Sequence, residues 1–370
     1  MCRSFAENEL KPKAEHYDRT HEFPWEHVEK MKEMGLFGVV YPEEYNGSGM
    51  DYLSYAVAVE ELSRGCASTG VIISAHNSLC TSPIYYFGTE DQKKKYVSKL
   101  TTGEWLGCFG ITEPEAGSDA AGTKTTAELK DGKWVLNGTK NFITNGGHAD
   151  VAVVTAITEK GVGHKGLSFF IIEKGTPGYS VGKSEDKLGI CASSTTELIF
   201  DNCEIPEENL LGELGKGFTI AMHTLDGGRV GIAAQALGIA QAALDESAAY
   251  ANERKQFGKS IGSFQAIQWM IADMATEIEA ARLLVYQAAN YMNTGERQRY
   301  SRYSAMAKLY ASECSHRVTH KAIQIFGGYG YTKDYPVERF YRDARITELY
   351  EGTSEIQRLV IAGATLKDYS

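Results

Sequence analysis

No stretch of this chain is apolar for long enough to cross a bilayer, which takes about 20 consecutive residues. Paired cysteines are missing too. The seven cysteines, at positions 2, 66, 80, 108, 191, 203 and 314, are odd in number, and none falls in a CxxC pair. They read as reduced thiols in a reducing compartment, not as a disulfide frame or a zinc site. Positive charge is scarce: 38 Lys and Arg stand against 48 Asp and Glu, a net charge of −10, with no basic cluster. That balance excludes nonspecific nucleic-acid binding. The run Lys93 to Lys95 lies in a polar helical pattern and reads as a solvated face.

Common catalytic signatures are absent as well. No GxGxxG follows a strand, which excludes a Rossmann dinucleotide site. GELGKGF at 212–218 lacks Walker spacing, and Gly258-Lys259-Ser260 has Glu253 where the first Walker glycine is required. His316 and His320 are four apart on a helix, but the HExxH glutamate is missing, so packing or solvent exposure explains them better than a metal. There is no GxSxG elbow and no cysteine with a histidine in a nucleophile motif. The opening MCRSFAENELKPKAEHYD is neither a signal nor a transit peptide; it reads as the middle of a helix, with more expected upstream.

What is present divides into three parts: residues 1–104, 105–208 and 209–370. In the first, FPWEHVEKMKEMGLFGV is an amphipathic helix ending near Gly35 or Gly38, and Asp51 to Arg64 has the same period. Gly70 to Tyr86 is uniformly apolar and predicts a buried helix, and Glu90 to Leu100 a polar one. In the second, short Val-, Ile-, Thr- and Phe-rich runs predict an antiparallel sheet or barrel. WVLNGTKNFITN carries an Asn137-Gly138 hairpin cue, and VAVVTAIT and LSFFIIE read as strands buried on both faces. In the third, Phe218 to Asn252, Phe264 to Met292, Tyr303 to Phe326 and the closing segment predict a four-helix bundle.

Five stretches carry small and polar residues of little packing value. CFGITEPEAGSD (108–119) ends a strand and frees Thr112, Ser118 and the amides of a glycine-bearing turn, which suits a flat heterocycle or an anion. NFITN (141–145) sets an aromatic beside a threonine hydroxyl. LDGGR (225–229) places two glycines inside a helical pattern, at a cost in stability that implies close approach by another group. Arg229 beside them could hold a phosphate or a carboxylate. ERKQFGKSIGSFQ (254–265) joins two helices and offers Arg254. QIFGGYG (324–330) allows close backbone approach. A sixth feature is Glu351-Gly352, ahead of Ser354 and Gln357 in capping-box spacing and a helical stripe at Ile356, Leu359, Val360 and Gly363. Taken locally, Glu351 is explained by the helix dipole as well as by catalysis.

GCFGITEPEAGSD, EDKLGI, LDGGRVGIAAQALGIAQAALD, ERKQFGKSIGSFQ, QIFGGYGY and above all YRDARITELYEGTSEIQRLVIAG resemble the acyl-CoA dehydrogenase family over essentially the whole chain, closest to its short-chain (butyryl-CoA) branch. The resemblance implies an α+β fold: an N-terminal helical domain, a middle β domain and a C-terminal helical bundle, assembled as a homotetramer. FAD would lie between the β domain and the bundle, with some contacts from a neighbouring subunit. It implies oxidation of short-chain acyl-CoA to trans-2-enoyl-CoA in β-oxidation, with electrons passed to electron-transfer flavoprotein, in the mitochondrial matrix or, in a bacterium, the cytoplasm.

By the same resemblance Glu351 is the catalytic base. The flavin would be lined by Phe109, Gly110, Ile111, Thr112, Gly117 and Ser118, and flanked by Phe142, Ile143 and Thr144. Arg254 and Gln265 would hold its diphosphate region. Gln324, Ile325, Phe326, Gly327 and Gly328 would take the adenosine side, and Thr353, Ser354 and Glu355 would also lie beside the cofactor. Ser118 and Asp226, Gly227, Gly228 and Arg229 would line the CoA chain, with Gly352 in the acyl pocket. In other branches the base sits on the helix bearing the LDGGR-type stretch; here that slot holds Gly228. The carboxyl pKa is expected to rise when substrate closes the pocket. Phe142 replaces the usual Trp, and Cys191 the usual Arg. The alternatives are a short branched-chain enzyme (2-methylbutyryl- or isobutyryl-CoA) and a non-catalytic scaffold on the same fold.

Overall fold

The computed structural model describes residues 1–370, apart from the side chains of Arg297 and Gln298. After short helical turns over residues 2–20, α1 (Trp25–Glu33) stops just before Gly35, whose φ of 69° ends it as the glycine predicted. Asp51 caps α2 (Tyr52–Gly65), accepting a hydrogen bond from the Ser54 amide at 2.8 Å. The apolar run forms α3 (Ala67–Ala75), which continues through a wider turn at His76–Thr81 into Ser82–Phe87. Residues 67–84 are all buried, because this helix meets the bundle on one side and the sheet on the other. In the polar helix over 90–100, Lys93 pairs with Glu90 and Lys95 with Glu173.

The sheet follows: β1 (Gly107–Gly110), β2 (Thr126–Lys130), β3 (Lys133–Thr144), β4 (Val151–Ile157), β5 (Leu167–Glu173), β6 (Tyr179–Ser184), β7 (Thr195–Pro206) and β8 (Leu210–Leu211). Their order is β6-β7-β3-β2-β4-β5-β8, with β1 beside β4. Most pairs are antiparallel, but β1 runs parallel to β4 over four residue pairs. The continuous apolar strands have the expected cause. Val151, Val153, Phe169 and Ile171 face the helices, while Ala152, Val154, Phe170 and Ile172 face the interior of the β layer.

The hairpin cue at Asn137-Gly138 is corrected. The turn between β2 and β3 is Asp131-Gly132, both in the left-handed region with φ of 51° and 77°. Asn137-Gly138 lies inside β3, where the register with β7 shifts between Leu136 and Gly138. Gly138 (φ 149°) is a bulge residue against Thr125, not a turn.

The bundle is α4 (Gly217–Glu253), α5 (Gln265–Thr294), α6 (Arg297–Phe326), α7 (Val337–Ile346) and α8 (Ser354–Lys367). The long helix α4 packs against α6, α5 and α2. At Gly238 it approaches α2 so closely that a Cβ would collide with the Glu60 carbonyl and come within 2.9 Å of the Arg64 amide. The same face carries a polar tie: Glu60 accepts from Arg282 at 3.1 Å and from Tyr286 at 2.7 Å. The N-terminal helices and the bundle thus share one core, and the sheet is held against their other side.

Candidate active site

The turn at Glu351-Gly352 joins α7 to α8. Helix α7 is anchored first. Val337, Phe340 and Ala344 are buried, Asp343 accepts from the Ile190 amide at 2.5 Å, and Arg342 reaches Asp18 at 2.6 Å and the Leu188 carbonyl at 3.1 Å. The RDAR residues therefore fasten the bundle to both the N-terminal helices and the β domain. The chain then reverses with Glu351 at φ 52° and Gly352 at φ 93°. A left-handed glutamate costs about 1–2 kcal/mol and persists only where neighbours fix it.

Four contacts fix this turn. The Ser354 amide donates to the Glu348 carbonyl at 3.1 Å, Lys308 Nζ on α6 donates to the Gly352 carbonyl at 2.8 Å, and Gln357 Nε2 donates to the same carbonyl at 2.8 Å and to that of Glu351 at 3.2 Å. Tyr350 hydrogen-bonds Gln235 on α4, and Gln235 in turn donates to the Ala67 carbonyl at 3.0 Å. The cap sits one residue earlier than the sequence spacing suggested. Thr353 is the N-cap, accepting from the Ile356 amide at 3.4 Å. Gln357 is not the partner in a capping box, because its amide is engaged by the turn carbonyls.

The carboxylate points inward. Glu351 is half-buried as a residue, and its Oε2 is buried and has no hydrogen-bond partner. Burial pushes its pKa up to about 8, against the pull of Lys308 and Arg229. Burial within the protein alone thus acts in the same direction as the one expected of substrate binding. Oε2 lies against Gly228 on α4: a Cβ there would collide with it and approach Leu79 Cδ2 to 2.8 Å. The group implied by the paired glycines is thus Glu351 itself. A carboxylate borne by position 228 and one borne by position 351 would compete for the same space.

Arg229, 3% exposed, turns toward Asp226 at 2.5 Å, and Ser301 Oγ also donates to Asp226 at 2.9 Å. Of the two partners open to Arg229, the one it holds is a carboxylate. Burial lowers its pKa, with Asp226 and Glu351 opposing.

Near this turn stands the end of the sheet. Phe109 on β1 shares a core with Leu79. The Asn141 amide donates to the Thr112 carbonyl at 2.8 Å, so the 108–119 and 141–145 stretches are neighbours. Gly117 and Ser118 are exposed, Ile143 is buried, and Phe142 adopts φ 60° with its residue 61% exposed. The loop is closed by Glu113, whose carboxylate accepts from the amides of Lys124 at 2.6 Å and Thr125 at 3.1 Å and from Lys140 Nζ at 2.6 Å.

Arg254, Gln265 and Gln324 to Gly328 form a second group, remote from the first. Arg254 lies 26 residues beyond Gly228 along α4, roughly 39 Å at the rise of a helix. There its guanidinium sits 5.3 Å from the Tyr329 ring centroid, while Ile325 and Phe326 are buried and Gln265, Gln324, Gly327 and Gly328 are exposed. His316 and His320 flank Tyr341, with ring centroids at 5.3 Å and 6.4 Å, a packing role. Sequence reasoning missed Lys308 and the Glu113–Lys140 pair, and it gave Gln357 a capping role where the structure has it hold the turn carbonyls. For Lys308 a signal existed: it shares the register of Ser304, Ala311, Ser312 and Ser315, the buried stripe of α6, where a lysine is out of place.

A helical domain, a β domain and a helical bundle around an inward-facing carboxyl define an acyl-CoA dehydrogenase, and the family models for its N-terminal, middle and C-terminal domains match residues 1–104, 108–203 and 215–366: the chain belongs to this family. It is 57% identical to the short-chain specific acyl-CoA dehydrogenase of Clostridium acetobutylicum, over 98% of this chain and 95% of that one. It is 54% identical to the mitochondrial short-chain specific acyl-CoA dehydrogenase of Rattus norvegicus, over 100% and 89%. Among solved structures it superimposes on butyryl-CoA dehydrogenase from Megasphaera elsdenii with a TM-score of 0.97 at 49% identity, covering 99% of this chain and 96% of that one. A chain from the structure described as the electron transferring flavoprotein of Acidaminococcus fermentans gives a TM-score of 0.97 at 55% identity, with coverage of 99% and 96%.

Proposed function

We propose that this chain oxidises short-chain acyl-CoA thioesters to trans-2-enoyl-CoA with FAD as cofactor, and that Glu351 is the base. The observation that carries the assignment is the Glu351 carboxyl: buried at Oε2, without a partner there, and tuned to about 8. A base is most effective when its pKa lies near the working pH.

The residues suit a flavin. Phe142 displays an aromatic ring outside the core, and Asn141 Oδ1 is a second buried oxygen without a partner beside the same strand end. Thr112, Gly117, Ser118, Thr144 and Thr353 to Glu355 supply backbone and hydroxyl groups around it. Arg254, Gln265 and Gln324 to Gly328, remote within one chain, suit the other end of the cofactor when a second copy presents them, as in a homotetramer. FAD, when bound, supplies the hydride acceptor for the substrate Cβ and passes the electrons to electron-transfer flavoprotein.

The protein's own share is positioning and proton transfer. Glu351 removes the Cα proton and keeps it on its carboxyl. Its backbone amide is a candidate donor to the thioester oxygen, where negative charge develops; one such donor is worth about 3–4 kcal/mol in other enzymes. The turn fixed by Lys308 and Gln357 holds the carboxyl at the Cα, and orientation of this kind lowers the barrier before any chemistry begins. Relatives of similar identity come from a bacterium and from mitochondria. The reading therefore admits the bacterial cytoplasm and the mitochondrial matrix, both compatible with seven free cysteines.

Purified protein should be yellow and should bleach under anaerobic conditions on addition of butyryl-CoA. Bleaching by isobutyryl- or 2-methylbutyryl-CoA in preference would move the substrate to branched chains. A colourless protein that takes up no FAD would overturn the assignment.

A further inference from the structure

Helix α6 turns a lysine into the interior. Lys308 is wholly buried on a stripe of small residues, Ser304, Ala305, Ala311 and Ser312. Burying an ammonium costs several kcal/mol, and one charge-assisted hydrogen bond to a carbonyl offsets about 1.5–3 kcal/mol of that. Its Nζ donates to the carbonyl of Gly352, the residue that follows Glu351, at 2.8 Å. Stability alone does not account for a cation in this position, since a leucine or methionine would fill the stripe without the desolvation cost.

We propose that Lys308 is a positioning residue for Glu351: it locks the turn through the Gly352 carbonyl and sets its ammonium behind the turn that carries the carboxylate. The inference rests on Glu351 being the base. No proton passes through Lys308; the substrate proton stays on the Glu351 carboxyl.

The charges facing the pair make the role specific. From α4, Arg229 is already matched by Asp226 at 2.5 Å. From α8 and α6, Glu355 and Glu313 act on Lys308 electrostatically, and both face outward, Glu313 pairing with Arg358 at 2.7 Å. Tyr55 on α2 and Tyr350 in the turn sense the Glu351 charge as neutral phenols. That leaves Lys308 as the cation whose loss the carboxylate would feel most. Burial pulls Lys308 down and pushes Glu351 up, while each charge favours the other, so the two titrate as a pair.

The test uses the FAD-loaded enzyme with Lys308→Met, Lys308→Gln and Glu351→Gln, each first checked for flavin absorbance and melting temperature. For Lys308→Met, kcat at pH 7 should fall about 10- to 100-fold with little change in KM, and the pH at which kcat/KM reaches half its plateau should move up by about one unit, a tenfold loss of ionised base at neutral pH. Infrared difference titration of the Glu351 carboxyl band should show the same upward shift. Lys308→Gln keeps a donor without the charge. It should keep the plateau rate at high pH but retain the shifted midpoint. A Lys308→Met enzyme with the wild-type pH profile and carboxyl band would overturn the proposal, as would one that only loses flavin and thermal stability. If Glu351→Gln is inactive while both Lys308 variants behave as wild type, the lysine's role alone is wrong. If Glu351→Gln is active, the base assignment falls first.

Discussion

Replacing Lys140 by Met removes the cation from a buried pair that closes the loop bearing Gly117 and Ser118. Lys140 is fully buried, with Nζ 2.6 Å from Glu113 Oε1, 3.1 Å from Thr123 Oγ1 and 2.9 Å from Thr155 Oγ1. Burial pulls the lysine down to about 8, with Glu113 opposing. Burial pushes Glu113 up, but Lys140 and the donors from Thr125 and Lys124 outweigh it and hold the carboxyl at about 2. Each group thus departs from its ordinary value by a free energy on the order of 3 kcal/mol, in opposite senses for stability, so the intact pair contributes close to nothing. Breaking it is different: a buried carboxylate without its cation costs about 3–5 kcal/mol.

At about 1–1.5 °C per kcal/mol for a chain of this length, Lys140→Met should lower the melting temperature by roughly 5 °C, followed by circular dichroism at pH 7. KM for acyl-CoA should rise, because the clasp on residues 113–125 is loosened. The double variant Lys140→Met/Glu113→Gln should recover more than half of the loss. The sign with pH differs for the two partners. The contribution of Glu113 is complete above its unfolded pKa of about 4.5 and fades as pH falls toward 2, whereas stability gains from Lys140 as pH rises from 8 to about 10.5, where only the unfolded chain holds the extra proton. A Lys140→Met protein that melts within a degree or two of wild type, with no recovery in the double variant, would refute the reasoning.

Three further outcomes are expected. Gly228→Ala puts a methyl group into Glu351 Oε2 and 2.8 Å from Leu79 Cδ2; turnover should fall about 100-fold while stability changes by no more than about 1–3 kcal/mol, read by steady-state kinetics and thermal unfolding. In the wild-type enzyme kcat/KM should rise with pH through about 8 and level off above it, since Glu351 acts as the carboxylate. Arg282→Ala leaves Glu60, which burial already pushes up, without its guanidinium; unfolding measurements should show a loss of about 3–5 kcal/mol, which would localise to the contact of α2 with α5.

The three-part order, the doubly buried strands and the buried helix after Gly70 were legible because hydrophobic period and run length report burial directly. The Asn137-Gly138 cue misled because the same dipeptide that makes a turn also tolerates a bulge. Asp131-Gly132, equally able to take positive φ, won the hairpin because its position leaves β2 and β3 in register from Thr126 to Lys130. At the site, Glu351, Gly228 and Arg229 were visible as residues, but their convergence was not: it depends on a turn placing position 351 over α4 from 123 residues away in sequence. Lys308 left only the faint signal of a lysine in a small-residue register, and the Glu113–Lys140 pair left none, for a related reason. A buried cation looks like a surface cation until the register of its element is fixed by packing.

The central claim is that the Glu351 carboxylate is the base. Glu351→Gln keeps the shape of the turn and its contacts with Lys308 and Gln357 but cannot take a proton. Mixed anaerobically with butyryl-CoA in a stopped-flow instrument, the flavin-loaded variant should bleach at least about 1000-fold more slowly than wild type, within the range a positioned general base contributes. Flavin content should be unchanged. Bleaching at the wild-type rate would contradict the account.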